Sequence, residues 1–402
     1  MGEVKSMHME QIYAQIENSF SDLVEWRRYL HQNPELSFQE TETATFIAQK
    51  LRSFGLDVKE SIGGNGVIGI LTGEQEGKTI ALRADFDALP IQDEKETTYK
   101  SKKTGVMHAC GHDGHTAYML VLAETLAELK DQLKGTIRVI HQPAEETPPG
   151  GAIGMIKAGV LDGVDAILGI HVMSNLKTGH IYYRSGNTQT GRSYFKLIVQ
   201  GSGGHGSSPH LANDAIVAAS SFVMNIQTIV SRRINPFDIA SITIGNLDGK
   251  GSFNVIKDAV TIEGDVRTMA LETQKVVEMQ LRTFAEGLEK SYGVKSIFEY
   301  HNDYPVLYNH PEVTNQVRRA LEEASIKEVE AVLETPPLPP SEDFAYYLEK
   351  IPGCFFYVGA LPESGEGYPH HHPKFDINEK SLIICAKAMA AVVASYCDGS
   401  EL

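Results

Sequence analysis

The sequence predicts an α/β fold with a mixed, largely parallel sheet flanked by helices, interrupted by an inserted α+β unit. Three observations carry that prediction. Apolar strand-like runs alternate with helical runs from residue 66 to residue 171, the βαβ pattern of a parallel sheet. Between about residues 193 and 300 the order becomes β-α-β-β-α-β, a split βαβ unit. A last apolar strand and a long apolar helix then follow it. A chain of 402 residues also exceeds one ordinary core, so two domains are expected.

Taken in order, apolar positions at helical spacing mark residues 9–29 and 40–54. The turn His31-Gln32-Asn33-Pro34-Glu35-Leu36-Ser37 separates them, because an Asn-Pro step disfavours helix. Strands are predicted at 66–71 and 79–83, and the second runs into Ala84-Asp85-Phe86-Asp87, leaving two carboxylates at a strand end. A helix at 116–130 and a strand at 136–141, stopped by Pro143, come next. Residues 150–158 read as helix and 166–171 as an apolar strand.

The character changes near Gly186. Strands at 193–199, 238–244, 259–266 and 295–300, with helices at 212–229 and 271–289, make a separate layer. The expected division is therefore 1–186, an insert at 187–301, and 302–402. After the insert come a helix at 312–324, the stiff connector Thr335-Pro336-Pro337-Leu338-Pro339-Pro340, a strand at 354–358 and a helix at 381–394. The connector reads as a spacer rather than a proline-recognition ligand.

A formal net charge of −16 argues against nucleic acid or anionic membrane as a general partner. Cys110, Cys354, Cys385 and Cys397 are too widely spaced for a secreted disulfide framework, so a reducing, cytoplasmic compartment is expected. Residues 9–17 are amphipathic and acidic rather than a signal-peptide core, and no long uncharged apolar run is read as a bilayer span. Met1-Gly2-Glu3-Val4-Lys5-Ser6 matches a myristoylation pattern, which reads as a chance match since nothing else supports an anchor.

The chemistry concentrates in Met107-His108-Ala109-Cys110-Gly111-His112-Asp113-Gly114-His115. Cys110 and His112 stand two apart, and Gly111 frees the backbone to aim both at one point. Three further loops can converge with it: Gln142-Pro143-Ala144-Glu145-Glu146, the strand end at His171, and His370-His371-His372-Pro373. Thiolate, imidazole and carboxylate together suit zinc, with manganese or cobalt as replacements. Each loop alone has an ordinary reading, a buried thiol, an acidic turn, a core histidine or a solvated histidine run. Their joint placement at strand ends favours a site.

Adjacent Glu145 and Glu146 are redundant as two ligands but not as ligand plus base. Neighbours on a strand face opposite ways, so that division needs a turn, which Pro143 is expected to enforce. The glycine-rich Gly201-Ser202-Gly203-Gly204-His205-Gly206-Ser207-Ser208-Pro209 lacks a phosphate-loop ending; His205 could reach a site, but a plain β-to-α turn is as good a reading. Arg267 offers a fork for a substrate carboxylate, against a default of a surface ion pair, and Asn254 precedes its strand. Ser341-Glu342-Asp343 reads most simply as a helix start.

Taken together these motifs resemble the dinuclear metallopeptidases and amidohydrolases of the aminoacylase and carboxypeptidase type. The likeness is to the amidohydrolase branch of hippurate hydrolases, auxin-conjugate hydrolases and N-acyl amino acid deacylases. It runs in order through residues 107–115, 142–146, Gly169-Ile170-His171-Val172, 203–210, Val266-Arg267-Thr268, 341–344 and His371-His372-Pro373, nearly the whole chain. The resemblance implies a catalytic domain with an inserted ferredoxin-like lid and dimerisation domain. It implies two divalent ions per subunit on Cys110, His112, Glu146, His171 and His371, with Cys110 bridging. Glu145 would be the general base, and His205 would hold the scissile carbonyl oxygen, often across a dimer interface. Asn254 and Arg267 would contact the substrate carboxylate.

Two positions depart from the pattern. Asp85-Phe86-Asp87 stands where the broader family has His-x-Asp, so His112 takes the place of the usual first histidine, and Lys257 stands where proline is common. The expected function is a metal-dependent amidohydrolase cleaving N-acyl amino acids or short peptides with a metal-activated water, as a homodimer or higher homo-oligomer. A peptidase acting on dipeptides and a non-catalytic metal-binding protein are the alternatives.

Overall fold

The structure, a computed structural model, describes residues 8–397. The myristoylation-like pattern at Met1–Ser6 lies outside the described residues. The chain divides into two compact units: one of residues up to Gly186, Tyr308–Pro336 and the segment from Asp343 onward, the other of Asn187–Leu307 and Pro337–Glu342.

The first unit is built on an eight-stranded sheet. Its order is Asp57–Ile62, Gly66–Thr72, Lys134–Gln142, Gln75–Asp85, Ala166–Met173, Gly353–Gly359, His180–Tyr183, Ala331–Glu334. The four middle strands run parallel; Asp57–Ile62 and Gly66–Thr72 join one side through antiparallel pairings, and His180–Tyr183 joins the other antiparallel, with Ala331–Glu334 parallel to it. Ile80, Leu82, Ile137, Val139, Leu168 and Phe356 are essentially fully buried, because helices cover both faces of a parallel sheet. Parallel packing gathers the carboxyl ends of these strands on one edge, where Asp85, Gln142 and His171 emerge together.

Helix Lys380–Cys397 is apolar all round and 83% of it is enclosed, which makes it a core helix. By length and mean hydropathy, 1.5 here and 1.2 for Ala215–Arg232, these two helices among the described residues reach the minimum for a membrane span, but both carry charge, Lys380 and Lys387 in the one and Arg232 in the other.

Two readings change. The helix expected over 9–29 is two, Met9–Asn18 and Phe20–Gln32, interrupted at Ser19. Strands Asp57–Ile62, His180–Tyr183 and Ala331–Glu334 go unread in the sequence because they are short, partly exposed and lie toward the sheet margins, where no clean alternation is imposed.

The second unit is a four-stranded antiparallel sheet in the order Ala240–Asp248, Ala259–Thr268, Gly191–Gln200, Lys295–Tyr304, with helices Ala215–Arg232 and Leu271–Tyr292 packed on it. Along Ala259–Thr268, Val260, Ile262 and Val266 are buried while Thr261, Glu263, Asp265 and Arg267 alternate with them on the other face. Phe195, Leu197, Phe222, Val277 and Leu281 complete a core separate from that of the first unit. Asp214 caps Ala215–Arg232 by accepting from the Ile216 and Val217 amides.

Candidate metal centre

Gly111 is left-handed at φ +98°, and a Cβ there would sit 2.6 Å from Val172 Cγ2. Only glycine makes this turn without strain. It leads directly into helix His112–Glu128 and leaves Cys110 and His112 converging. Cys110 Sγ lies 3.5 Å from His171 Nε2. His112 Nε2 lies 3.8 Å from Glu146 Oε1, and His371 Nε2 lies 3.3 Å from Glu146 Oε2. Cys110, His112 and His171 form one group of ligand atoms within 4.8 Å of one another; Cys110, Glu146 and His371 form a second. The five residues therefore come together, with Cys110 common to both groups.

The ring nitrogens are set in advance. His112 Nδ1 faces the Asp87 carbonyl at 3.0 Å and its carboxylate at 3.1 Å, while Nε2 has no hydrogen-bond partner among the described residues. Glu146 Oε1 is likewise unmet. His171 donates from Nδ1 to the Val172 carbonyl at 2.7 Å, which turns the Nε2 lone pair toward Cys110. Oriented imidazoles with orphaned inward atoms are what a metal requires of its ligands.

The electrostatics agree. Burial first, then Glu146, Glu145 and Asp85, hold the Cys110 thiol well above its ordinary range. Burial opposes charge on His112, yet Asp85, Asp87 and Glu146 outweigh it and raise the ring to about 10. The cluster is thus short of positive charge, and its thiol, imidazole and carboxylate donors fit a divalent ion of the zinc, manganese or cobalt type.

Asp85 is not among the open donors. Arg83 Nη1 donates to its Oδ2 at 2.6 Å, and its Oδ1 lies 2.6 Å from His115 Nδ1. His115 Nε2 in turn accepts from the Val172 amide at 3.0 Å, so the proton sits on Nδ1. Where the broader family has a histidine, this chain has a carboxylate already neutralised. Arg83 also donates to Gln142 and to Asp343, each at 2.9 Å.

Asp343 accepts from the Ala152 amide at 3.0 Å, at the start of helix Gly151–Lys157. Gly150, at φ +80°, makes room for it, since a Cβ there would lie 2.3 Å from Asp343 Oδ2. Ser341-Glu342-Asp343 is therefore not a helix cap: helix Ala345–Leu348 starts after Phe344 with no side-chain cap, and Asp343 supports a different helix. Sequence reasoning missed both Arg83 and Asp343. The available signal was an arginine inside an otherwise apolar strand.

The Glu145-Glu146 turn is made by Ala144, at φ +54°, rather than by Pro143. Its strained amide donates to Glu40 Oε1 at 2.8 Å, and burial pushes Glu40 up to about 7. Asp87 Oδ2 accepts from the Glu146 amide at 3.0 Å and from Ser37 Oγ at 2.7 Å. His371, at φ +66°, is a second non-glycine residue of the cluster in the left-handed region. Two such non-glycine residues at one site are strain held by their surroundings. The buried Glu145 offers an oxygen within 4.8 Å of His112 and Glu146 donors. His370, which sequence alone did not separate from its neighbours, is half-buried, with Nδ1 3.6 Å from Cys110 Sγ and Nε2 accepting from the Ser174 amide.

In the second unit, Gly204–His205 pairs with Val255–Ile256, and the Gly206 amide donates to the Asn254 carbonyl at 2.9 Å. His205 and Asn254 are neighbours. The Ser207 amide donates to His205 Nδ1 at 3.2 Å, which leaves the proton of the neutral ring on Nε2, free to donate outward. Arg267 lies at the other end of Ala259–Thr268, roughly 25 Å away by strand rise. It donates to Asp265 at 2.8 Å and to Ser341 at 3.1 Å. One copy of this unit does not bring Arg267 to His205 and Asn254.

Residues 81–395 match Peptidase family M20/M25/M40. The chain is 40% identical over 361 residues to an N-acetyl-L-cysteine deacetylase of Bacillus subtilis (strain 168), covering 90% of this chain and 85% of that protein. It is 37% identical over 393 residues to thermostable carboxypeptidase 2 of Saccharolobus solfataricus, covering 96% and 99%. Among solved structures, a dinuclear metal-binding M20 peptidase of Bacillus subtilis superposes with a TM-score of 0.83 at 33% identity, covering 95% of this chain and 99% of that one.

Proposed function

Since the chain belongs to peptidase family M20/M25/M40 and is a metal-dependent hydrolase of amide bonds, we propose that its substrates are N-acyl amino acids. The observation that carries the catalytic part is the Ala144 turn, which sends adjacent Glu145 and Glu146 to the same cluster as His112. Relatives named as a deacetylase and a carboxypeptidase keep short peptides as the second reading, since both chemistries break the same bond.

Two divalent ions, zinc first with manganese or cobalt as alternatives, would be held by Cys110, His112, Glu146, His171 and His371, with Cys110 shared. Bound there, they would supply Lewis acidity to the scissile carbonyl and acidity to a water. Glu145 takes the proton from the attacking water and returns it to the leaving amine. Asp87 fixes the His112 ring and the Glu146 amide, so the base and its neighbouring ligand stay in register. His205 donates from Nε2 to the developing oxyanion, and Asn254 and Arg267 receive the substrate carboxylate.

The separation of Arg267 from His205 and Asn254 supports a homodimer in which different copies supply them. So does the surface of the second unit. Val217, Met224 and Leu247 are 52%, 71% and 50% exposed, and strand Ala240–Asp248 is an open sheet edge. Met224→Asp is expected to convert a dimeric mass to a monomeric one in analytical ultracentrifugation; a monomeric wild type would remove this part of the reading. Four free cysteines accord with a cytoplasmic, reducing setting.

The substrate reading is tested by assaying metal-replete protein against N-acyl amino acids and dipeptides, with and without chelator. Amine release from the acyl compounds, abolished by chelation and restored by divalent metal, is expected. Turnover of dipeptides alone would select the second reading.

A further inference from the structure

The ligand set comes from distant parts of the chain, Cys110 and His112 before the second unit and His371 after it. Beneath them the two segments meet on a buried cationic cluster. Arg27, fully buried on helix Phe20–Gln32, donates from Nε to Asp113 Oδ2 at 2.9 Å. Its Nη2 donates to Asp376 Oδ1 at 2.8 Å, and its Nη1 to Glu379 Oε1 at 3.2 Å. Asp113 directly follows His112, and Asp376 belongs to the segment that follows His371.

Neighbouring groups repeat the connection. His31 Nδ1 lies 2.7 Å from the same Asp113 oxygen, and Lys95 Nζ lies 2.8 Å from His31 Nε2. Lys95 also donates to the Phe375 carbonyl at 2.8 Å. Tyr99 donates to Asp376 Oδ2 at 2.6 Å, and its ring lies 4.8 Å from the Arg27 guanidinium carbon. Direct backbone contact between the segments comes from the His371 amide, which donates to the Ala109 carbonyl at 2.8 Å.

Buried ion pairs are weak sources of net stability, because desolvation offsets their attraction. What a planar guanidinium does supply is a fixed angle between the groups it binds. We propose that Arg27 is a positioning residue for the metal centre, holding the Cys110–Asp113 and His371–Asp376 segments at the separation their ligands need. Lysine cannot replace it, since its three donors share one nitrogen and do not reach the three carboxylates that Nε, Nη1 and Nη2 meet separately. The inference rests on reading the cluster as the metal centre.

The test uses cobalt(II), titrated into metal-free wild type, Arg27→Lys and Asp376→Asn against a competing chelator. The near-ultraviolet thiolate-to-cobalt absorption reports Cys110 ligation, and circular dichroism reports folding. Asp376→Asn is the gentler variant, because Arg27 keeps Asp113 and Glu379. Both variants are expected to bind cobalt about 10–100-fold more weakly, with a diminished band per bound ion and an unchanged fold. A folded Asp376→Asn protein with wild-type affinity and band would overturn the proposal, even if Arg27→Lys does not fold. Wild type that binds no cobalt would instead overturn the metal reading on which it rests.

Discussion

Glu145→Gln is expected to lower turnover by about 10²- to 10⁴-fold while the metal content stays at the wild-type level. The substitution keeps the size of the side chain and removes its capacity to hold a proton. Glu145 is buried beside His112 and Glu146 on a left-handed turn, so its amide should occupy the same space. Ligation falls to Glu146, whose Oε1 is the unmet oxygen and whose amide is tied to Asp87. Metal analysis beside steady-state kinetics on the best acyl substrate checks both halves. Full activity would remove the base assignment, and metal loss would make Glu145 a ligand.

Cys110→Ser should have the largest effect on the metal itself. Cys110 is the one residue common to both groups containing a predicted sulfur ligand, so changing it weakens two positions together. A serine hydroxyl stays protonated at neutral pH and lacks the polarisable sulfur that borderline ions prefer. The loss of affinity should exceed the 10–100-fold typical of changes in supporting residues. Ion content after dialysis reads it directly. Wild-type stoichiometry with full turnover would exclude the bridging role.

The presence of two different sheets was legible because their signals are periodic: apolar parallel strands in one, then the alternating Val260, Ile262 and Val266 of an antiparallel strand in the other. The residues of the candidate centre could be picked out because cysteine, histidine and paired glutamates at strand ends carry a chemical signature, and the structure brings them together. The supports were not legible. Arg27 and Glu40 look like ordinary surface charges until folding buries them against Asp113 and the Ala144 amide, and Arg83 shows only as an arginine in an apolar strand, with nothing to mark Asp85 and Asp343 as its partners. Nothing local in the sequence marks Ala144 or His371 as left-handed, since the strain is imposed by partners far along the chain.

The strand order has a consequence for synthesis. Gly353–Gly359 lies between Ala166–Met173 and His180–Tyr183, so the ribosome releases its neighbours long before the strand that joins them. At ~5–20 residues per second the opening persists for roughly 10–40 s, with apolar strand edges unpaired. The second unit, which carries its own core, can be complete in that interval. His371 follows that strand in the chain, so on the proposed ligand set the centre can assemble only after the sheet has closed.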